Sequence, residues 1–598
     1  MSTFSLSEAS LKKGREILVE LYGEETGNST YERLLRVIKE ALTEKGKIPR
    51  FDSGKREESY KFDQTDAFLV TYGDQFLDNK NQLFENLRRF AEEYLTGLFS
   101  GVHLLPFYPY SSDDGFSVTD YYQVRSDLGD WEDVRQLSYH FKVMCDAVIN
   151  HISAESAWFQ GYLKGEPGYD QFFIEVGKDI DLSAVIRPRA LPLLTSFSSV
   201  AGEKLLWTTF STDQIDLNYA NPRVLLKIIE LLLFYGEQGV KLIRLDAVGY
   251  LWKEIGTTCL HLRQTHRIIQ LFRSVLDLVY PEISLITETN VPHEENISYF
   301  GDGYNEAQMV YQFSLPPLVL ITFYQENAAT LTRWVGALEQ PPGRCTFLNF
   351  LASHDGIGLL PVKGILSEKE INMLVEKTQA YGGSISYRYN VTGEKSPYEL
   401  NISYFDALSG REEPESIRIE KFICAHSILL SLVGVPAIYI HSLFGSENDD
   451  EGVEETGRPR SINRRKFFFQ QFLAELDNPY SRTRMVYERL ATLLKIRRNH
   501  PAFHPLGRQD VLVLKDEIFS LIRTSPEENE QIICFHNVSS RQQALQVDFS
   551  STKMDPAQEY QDLLTRRIFS PNAQGLVHLQ LLPYEILWLL RMPTKLRS

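Results

Sequence analysis

VKLIRLDAVGY, residues 240–250, is the stretch that decides the fold, since it is an apolar run broken by Arg244 and Asp246. A run without polar alternation is typical of a parallel strand that is buried on both faces. Placing a charged pair in such a strand costs free energy because both groups lose water, so the pair indicates a chemical task. We therefore interpret Asp246 as a candidate nucleophile.

Seven similar apolar runs lie elsewhere in the chain, and amphipathic segments such as residues 222–238 and 266–280 separate them. Eight buried strands that alternate with helices predict an α/β protein with a (β/α)8 TIM barrel. In chain order, the eight runs are DAFLVTYGDQF (66–76), GVHLLPFYPY (101–110), FKVMCDAVINH (141–151), VKLIRLDAVGY (240–250), ISLITETN (283–290), EAQMVYQFSLP (306–316), TFLNFLASHDG (346–356) and GVPAIYIHSLF (434–444).

The pattern changes at both ends of the chain, which predicts three domains. Residues 1–60 read as a helical N-terminal extension and residues 61–500 as the catalytic barrel. The barrel carries an irregular insertion subdomain, 152–239, after strand 3 and a loop subdomain, 356–415, after strand 7. Residues 501–598 contain short alternating strands, which predict a C-terminal antiparallel β-sandwich.

Composition argues against several classes of function. The net charge of −17 argues against a nucleic-acid or anionic-membrane partner, because both select clustered Lys and Arg. No apolar stretch approaches the length of a membrane span, and the polar N-terminus lacks the features of a secretory signal. Five widely spaced cysteines suit buried thiols in a reducing compartment. We therefore expect a cytoplasmic protein.

Acidic residues follow several of the predicted strands at the edge where a barrel carries its active site. Runs four, five and seven lead to Asp246, Glu288 and Asp355. A single acidic residue at a strand end is more often a helix cap or a solvated charge. Carboxylates and histidines at the ends of successive strands are a more specific sign of an active site. The set of three carboxylates suggests glycosyl transfer.

The neighbours of each carboxylate suggest its role. Arg244 lies two residues before Asp246 on the same strand face, so we expect it to lower the pKa of Asp246 and keep this nucleophile ionised. Glu288 follows apolar ISLIT, where desolvation would raise its pKa and suit it as the acid/base. Asp355 with His354 would bind sugar hydroxyls and stabilise positive charge in the transition state.

Four short segments resemble the signature regions of glycoside hydrolase family 13, the α-amylase superfamily, in their usual order: DAVINH (146–151), IRLDAVGY (243–250), ITETN (286–290) and ASHDGIG (352–358). The resemblance spans about residues 66–465. It implies a retaining α-glucosyl mechanism with the same three carboxylates as nucleophile, acid/base and transition-state stabiliser. It also implies a glucose subsite lined by His151, Arg244 and His354.

Longer segments resemble the sucrose phosphorylase subfamily, notably GVHLLPFYPYSSDDGF (101–116), IRPRALPLLTSF (186–197) and SHDGIGLLPVKGIL (353–366). This resemblance implies that phosphate replaces water in resolving a covalent β-glucosyl-enzyme, which gives α-D-glucose 1-phosphate. It further implies that Asp113 and Arg464 close off the glucose 4-hydroxyl, and Tyr250 is expected to form a wall for the sugar ring.

Phosphate needs cationic or hydrogen-bonding help near a nucleophilic carboxylate, because repulsion would otherwise exclude it. The insertion offers Arg187 and Arg189, and the loop subdomain offers Arg388 and Tyr398. We favour Arg189, because the RPR element matches the subfamily.

Two positions set this chain apart from sucrose phosphorylases. Those enzymes have a histidine two residues after the acid/base, where this chain has Asn290, and a glutamine after the loop tyrosine, where it has Glu399. ETNVPH (288–293), SYFGDG (298–303) and SPYELN (396–401) resemble instead the glucosylglycerate phosphorylase branch, which implies 2-O-α-D-glucosylglycerate as the donor. Sucrose, sucrose 6-phosphate and glucosylglycerol remain alternative donors.

Two other functions stay open, namely a transglucosidase or hydrolase and a non-catalytic barrel that serves as a binding subunit. The retention of three carboxylates, one arginine and two histidines at strand ends argues against the second of these. We predict no cofactor and no metal, since the sequence has no dinucleotide fingerprint, P-loop or zinc-type cluster. The expected partners are small-molecule substrates (α-glucoside, phosphate and glucose 1-phosphate), and a homo-oligomer stays open.

Overall fold

The eight apolar runs form a closed barrel of parallel strands, as predicted. The structure is a computed structural model, and it describes residues 4–44, 49–52, 61–78, 83–188, 192–389, 395–551 and 554–592. The barrel strands are β1 (Phe68–Thr71), β2 (Gly101–Leu104), β3 (Lys142–Ala147), β4 (Leu242–Leu245), β5 (Ser284–Thr287), β6 (Met309–Tyr311), β7 (Thr346–Asn349) and β8 (Val435–Tyr439).

Helices that follow the strands form the layer outside the barrel. Pro222–Glu237 shows how the sequence starts one of them, because Asn221 caps its N-terminus and Pro222 occupies the first turn. The apolar residues of this helix are largely buried against the barrel. The other principal helices are Leu83–Phe90, Trp131–Ser138, Arg263–Val279, Leu315–Gln325, Ala329–Ala337, Glu415–Ser431, Phe469–Asp477 and Arg482–Asn499.

Two helices, Glu8–Tyr22 and Glu24–Glu44, occupy most of the predicted N-terminal extension. They pack on each other and on the barrel helix Arg263–Val279. The hydroxyl of Tyr22 donates to the carbonyl of Tyr219 at 2.9 Å, which ties the helix pair to the barrel. Among the helices of the described ranges, none combines the length and the apolar character needed to cross a bilayer.

The insertion after β3 and the loop subdomain after β7 are both present. The insertion contains the antiparallel strands Leu194–Ser199 and Gly202–Trp207, and its last strand, Gln214–Asp216, pairs with His151–Ser153. The loop subdomain contains the helix Glu368–Ala380 and an antiparallel sheet of Ile357–Gly358, Lys395–Asn401 and Ser384–Tyr389.

The C-terminal region is an antiparallel β domain, as predicted. Its larger sheet has the order Arg508–Lys515, Ile518–Thr524, Gln531–Asn537, Ile586–Arg591, Tyr560–Asp562 and Ile568–Phe569. The strands Gln543–Asp548 and Leu576–Leu581 form a second sheet. Buried aliphatic and aromatic side chains from both sheets share one hydrophobic cluster. The domain limits near residues 60 and 500 remain our proposal.

A buried lysine, Lys253, links the insertion to the rim of the barrel. Its Nζ lies 2.6 Å from Oδ2 of Asp216 and 2.8 Å from Oδ1 of Asn150, and it also donates to the carbonyl of Tyr250. Asp216 belongs to the insertion, whereas Asn150 follows β3. Asp216 is fully buried, and the ammonium group of Lys253 is the cation that lies against its carboxylate.

We expect Lys253→Met to destabilise the protein by about 3–5 kcal/mol, because it leaves the carboxylate of Asp216 buried without its cation. The control is Lys241→Met, since the ion pair of Lys241 with Glu282 is partly exposed at 3.6 Å and should contribute less than ~1 kcal/mol. Thermal unfolding of both variants tests this. Equal midpoints for the two variants would show that the buried pair does not stabilise the fold.

Candidate active site

A buried arginine, Arg244, forms the centre of the candidate site. It lies on β4, in register with Asp146 of β3. Its Nη1 forms an ion pair with Asp146 and donates to Oδ1 of Asp246 at 3.0 Å. The other oxygen of Asp146 lies 2.8 Å from Nε2 of His103, on β2. Residues of three neighbouring strands therefore fix the guanidinium at the C-terminal end of the barrel.

Asp146 is a residue that the sequence analysis missed. From the run FKVMCDAVINH it selected only His151, at the end of the run. Asp146 is a charged residue inside a buried apolar strand, which is the same signal that singled out Asp246. Applying that criterion to every run would have found it.

The two candidate catalytic carboxylates both lie beside this arginine. Asp246 directly follows β4 and Glu288 directly follows β5. Nη2 of Arg244 is 4.0 Å from Oε2 of Glu288. Ala247 has a left-handed backbone with φ of 48°, and its N–H donates to Oε2 of Glu288 at 3.0 Å. The backbone turn after β4 thus holds the second carboxyl group next to the first.

Burial raises the pKa of both carboxyl groups. It raises the pKa of Glu288, as predicted, although Arg244 opposes the effect. It also raises the pKa of Asp246 to well above the ordinary value, against the opposing charge of Arg244. Our expectation that Arg244 would lower the pKa of Asp246 is therefore wrong. The reason is desolvation by burial, which outweighs the lowering effect of Arg244, and the carboxylates of Glu288 and Asp146 raise the pKa of Asp246 further.

Two carboxyl groups in such surroundings do not ionise together, because the charge on the first raises the pKa of the second. Arg244 lies 3.0 Å from an oxygen of Asp246 but 4.0 Å from the nearer oxygen of Glu288. The single negative charge of the pair is therefore more favourable on Asp246, and the remaining proton on Glu288. This is the arrangement that a nucleophile and a general acid require.

The third carboxylate, Asp355, lies in the loop after β7 beside two arginines and a histidine. Its Oδ1 is 2.6 Å from Nη1 of Arg460, 3.7 Å from Nη2 of Arg464 and 3.5 Å from Nε2 of His354. Burial alone would raise the pKa of Asp355, but Arg460 and the other cationic neighbours outweigh it and hold the pKa well below its ordinary value. Asp355 is therefore ionised across the physiological pH range.

Phe116 organises the two candidate histidines. The ring of His354 stacks on that of Phe116 with centroids 4.8 Å apart, and Nε2 of His151 is 2.9 Å from the carbonyl oxygen of Phe116. Burial lowers the pKa of His354 to about 3 and also lowers the pKa of His151. Both rings are neutral near pH 7, which suits hydrogen bonding to uncharged sugar hydroxyls.

Arg464 closes one side of the site through an ion pair with Asp114. Its Nε also donates to the carbonyl of His354 at 2.9 Å. Asp113, the residue that the resemblance indicated, lies next to this pair and accepts from Nε2 of Gln214 at 3.3 Å. Both aspartates have left-handed backbones, with φ of 55° and 50°. The sequence indicated Asp113 and Asp114 at the end of the second run but favoured Asp113 as the partner of Arg464, which lies 350 residues further along the chain than Asp114.

Tyr250 and Asn290 lie on the rim of the barrel. The ring of Tyr250 meets that of Phe210 edge to face, with centroids 5.5 Å apart. The amide of Asn290 lies so close to Gly358 that a Cβ at residue 358 would approach Oδ1 to 2.5 Å. Gly358 therefore provides the space that Asn290 occupies two residues after Glu288.

Three of the four candidate phosphate residues, Arg187, Arg388 and Tyr398, lie within the described residues. Arg187 is exposed, and Arg189 lies outside the described residues. Nε of Arg388 donates to Oγ of Ser396 at 3.4 Å, within the sheet of the loop subdomain. Tyr398 lines a cavity at the edge of the site and is partly exposed. The roles of these residues in binding phosphate stay predictions.

A cavity of about 410 Å³ lies at this edge of the site. Asp113 and Asp114 bound it on the side of the loop after β2, and Tyr398 and Glu399 on the side of the loop subdomain. Arg460 contributes to its wall from the loop after β8. Its volume and polar lining suit a small polar ligand held by a few oriented groups.

Comparisons with known proteins show what this chain is similar to. Residues 72–356 match the alpha amylase catalytic domain. A glucosylglycerate phosphorylase of Spirochaeta thermophila is 47% identical over 96% of this chain and 98% of its own length. A second, from Allomeiothermus silvanus, is 50% identical over 83% of this chain and 88% of its own length. A sucrose phosphorylase of Agrobacterium vitis is 31% identical over 73% of this chain and 88% of its own length.

A solved structure shows the same fold. It is that of sucrose 6F-phosphate phosphorylase from Thermoanaerobacter thermosaccharolyticum, with a TM-score of 0.70 and 24% identity. The superposition covers 81% of this chain and 96% of that chain.

Proposed function

This chain belongs to the α-amylase family, and on that premise we propose that it is a retaining α-glucoside phosphorylase whose donor is 2-O-α-D-glucosylglycerate. It transfers the glucosyl group reversibly to phosphate and gives α-D-glucose 1-phosphate and glycerate. The observation that carries the proposal is the placement of Asp246 and Glu288 beside one buried guanidinium, in a chain whose relatives at 47% and 50% identity are glucosylglycerate phosphorylases.

In the first half of the reaction, the carboxylate of Asp246 attacks the anomeric carbon of the donor. Glu288 gives its proton to the departing glycerate oxygen, so the carbon–oxygen bond breaks without releasing an alkoxide. Asp355 is ionised next to this carbon and offsets the positive charge that develops on the sugar. The products are free glycerate and a β-glucosyl ester of Asp246.

In the second half, phosphate attacks the same carbon from the face that glycerate left. The ester bond to Asp246 breaks and regenerates its carboxylate, and two inversions give the α-configuration of glucose 1-phosphate. Glu288 is now deprotonated and takes up a proton from the incoming phosphate. In the reverse reaction, the carboxylate of Glu288 accepts the proton of the glycerate hydroxyl.

The proposed donor is supported by Asn290 and Glu399, the two positions at which this chain differs from the sucrose phosphorylase pattern. Glu399 is buried at the cavity wall, 2.9 Å from Nη2 of Arg460. Sucrose phosphorylase relatives are more distant, at 31% identity for the protein of Agrobacterium vitis. Sucrose, sucrose 6-phosphate and glucosylglycerol are therefore the competing donors.

An acceptor panel tests the function. The purified protein is incubated with glucose 1-phosphate and, in separate reactions, glycerate, glycerol, fructose or fructose 6-phosphate, and phosphate release is measured. We expect the fastest release with glycerate. Release with none of the four would refute the phosphorylase, and equal glucose formation without any acceptor would indicate a hydrolase.

We propose that Arg189 binds phosphate, as the match of its RPR element to the subfamily suggests. Arg189→Ala should then raise the KM for phosphate about 10-fold, which corresponds to the loss of one charge-assisted hydrogen bond. Phosphorolysis at saturating glucosylglycerate provides the measurement. The control is Lys178→Ala, which removes an exposed cation from the same insertion. If both variants have the same phosphate KM, Arg189 is not part of the phosphate site.

A further inference from the structure

Arg460 bridges two carboxylates that come from different segments of the site. Its Nη1 lies 2.6 Å from Oδ1 of Asp355. Its Nη2 and Nε donate to the two oxygens of Glu399 at 2.9 and 3.2 Å. A guanidinium that binds a carboxylate at both oxygens is fixed in orientation as well as position. Glu399 therefore determines where Nη1 of Arg460 points.

Glu399 also holds the backbone beside Asp355. Its Oε1 accepts from the N–H of Gly356 at 3.0 Å, and its strand pairs with Ile357–Gly358. A Cβ at Gly356 would lie 2.5 Å from Cγ of Glu399, so the two segments are in close contact there. The contacts form a closed ring: Asp355 to Arg460, Arg460 to Glu399, and Glu399 to the residue after Asp355.

We infer that Arg460 is a positioning residue that holds Asp355 in its orientation, and that Glu399 sets the orientation of Arg460. The inference rests on the role of Asp355 in the proposed function. In this role Arg460 acts on the reacting carbon through Asp355. Its contribution is to keep that carboxylate aimed at the anomeric carbon.

The charges around Asp355 predict the effect of removing Arg460. Burial raises the pKa of Asp355, and among the opposing charges Arg460 has the largest effect. Without Arg460, the pKa of Asp355 rises from its depressed value. Since only the ionised form stabilises positive charge, activity is then lost at a higher pH as the medium is acidified. The other charged or titratable groups facing Asp355 are Arg464, Arg244, His354, Asp246, Glu288, Tyr72 and Tyr439.

The experiment measures phosphorolysis from pH 4 to 9 for the wild type, Arg460→Gln and Arg460→Lys. We expect Arg460→Gln to lower kcat by about 10²-fold, the scale for losing a charge-stabilising group, with the KM for phosphate changed less than ~3-fold. The pKa of Asp355 lies well below its ordinary value in the wild type, so this group should give no acidic limb above pH 4, whereas burial should bring such a limb into the measured range in Arg460→Gln. Arg460→Lys restores the charge but not the bridge, so its limb should return toward the wild type while kcat stays reduced.

Two further variants separate this role from a general effect of charge or folding. Arg458→Gln removes a cation from the same cavity wall, but the contact of Arg458 is with Asp114 at 3.1 Å, so the acidic limb should not move. Glu399→Gln keeps an acceptor for Gly356 but removes a competing charge, so the acidic limb should stay or move downward. An equal upward shift in all three glutamine variants would overturn the inference.

The outcomes distinguish this inference from the proposed function. A wild type that releases no phosphate with any acceptor refutes the function and, with it, the role of Arg460. An active wild type together with an unshifted Arg460→Gln profile refutes the inference alone. If Arg460→Gln does not fold, Arg460→Lys and Glu399→Gln decide the question. A wild-type kcat in Arg460→Lys together with an upward shift of the acidic limb in Glu399→Gln would then overturn the inference.

Discussion

Asp246→Asn abolishes glucosyl transfer and leaves the fold intact: we expect kcat to fall by about 10⁴-fold or more, the scale for losing a nucleophile. An amide has no negative charge with which to attack the anomeric carbon. The substitution is almost isosteric, and its oxygen can still accept from Arg244, which lies 3.0 Å away. The substitution also removes the repulsion between Asp246 and the neighbouring carboxylates, so we do not expect it to unfold the site. The measurement is phosphate release from glucose 1-phosphate with glycerate as acceptor.

A matched control exists on the outer layer of the barrel. Asp277 also contacts an arginine, Arg273, at 2.6 Å, and it lies on helix Arg263–Val279, away from the strand ends. Asp277→Asn should keep wild-type turnover.

The smaller variant Asp246→Gly gives a second test, since azide should occupy the space that the carboxylate vacates and attack the donor directly. The product would be the β-glucosyl azide, and substantial turnover by Asp246→Asn would place the nucleophile elsewhere.

The barrel could be predicted from the sequence because its strands are buried on both faces. Burial leaves continuous apolar runs, and all eight runs correspond to barrel strands in the structure. The helices between the strands could be predicted as well, because their apolar residues recur at the helical period. The relatives confirm the family that the short segments around Asp246, Glu288 and Asp355 had indicated, and the phosphorylase class that longer segments such as residues 101–116 had indicated.

The contacts between loops could not be predicted in this way. Arg460 lies in the segment GRPRSINRR, 457–465, where several arginines are equally good candidates by composition. Its partner Glu399 is 61 residues away in sequence, on a strand of the loop subdomain. No local pattern links the two. Only the folded chain shows which arginine meets Asp355.

The pKa of Asp246 shows the same limit for electrostatics. The sequence places Arg244 two residues away, and from that spacing alone a lowered pKa is the natural expectation. In the folded chain, Arg244 also pairs with Asp146, and burial outweighs its effect on Asp246. A pKa depends on every charge around a group and on its desolvation. Most of these neighbours are distant in sequence.

Glu288→Gln should separate proton transfer from nucleophilic attack. With glucosylglycerate as donor, we expect kcat to fall by about 10²–10⁴-fold, because glycerate must leave without a proton. Glutamine keeps the shape of the side chain and can still interact with the N–H of Ala247, which donates to Glu288 at 3.0 Å. The nucleophile Asp246 is unchanged. The fall in kcat should therefore depend on how strongly the leaving group requires a proton.

α-D-Glucosyl fluoride provides the decisive comparison, since fluoride leaves without a proton. Glu288→Gln should retain most of its activity with this donor, whereas Asp246→Asn should be inactive with both donors. The pH profile gives an independent signature. Burial raises the pKa of Glu288, so the acid form persists to a higher pH than for an ordinary glutamate and is lost as the pH rises through that raised pKa. The basic limb of glucosylglycerate phosphorolysis should disappear in Glu288→Gln. Equal losses with both donors, with the basic limb retained, would mean that Glu288 is not the acid and that another group protonates the leaving oxygen.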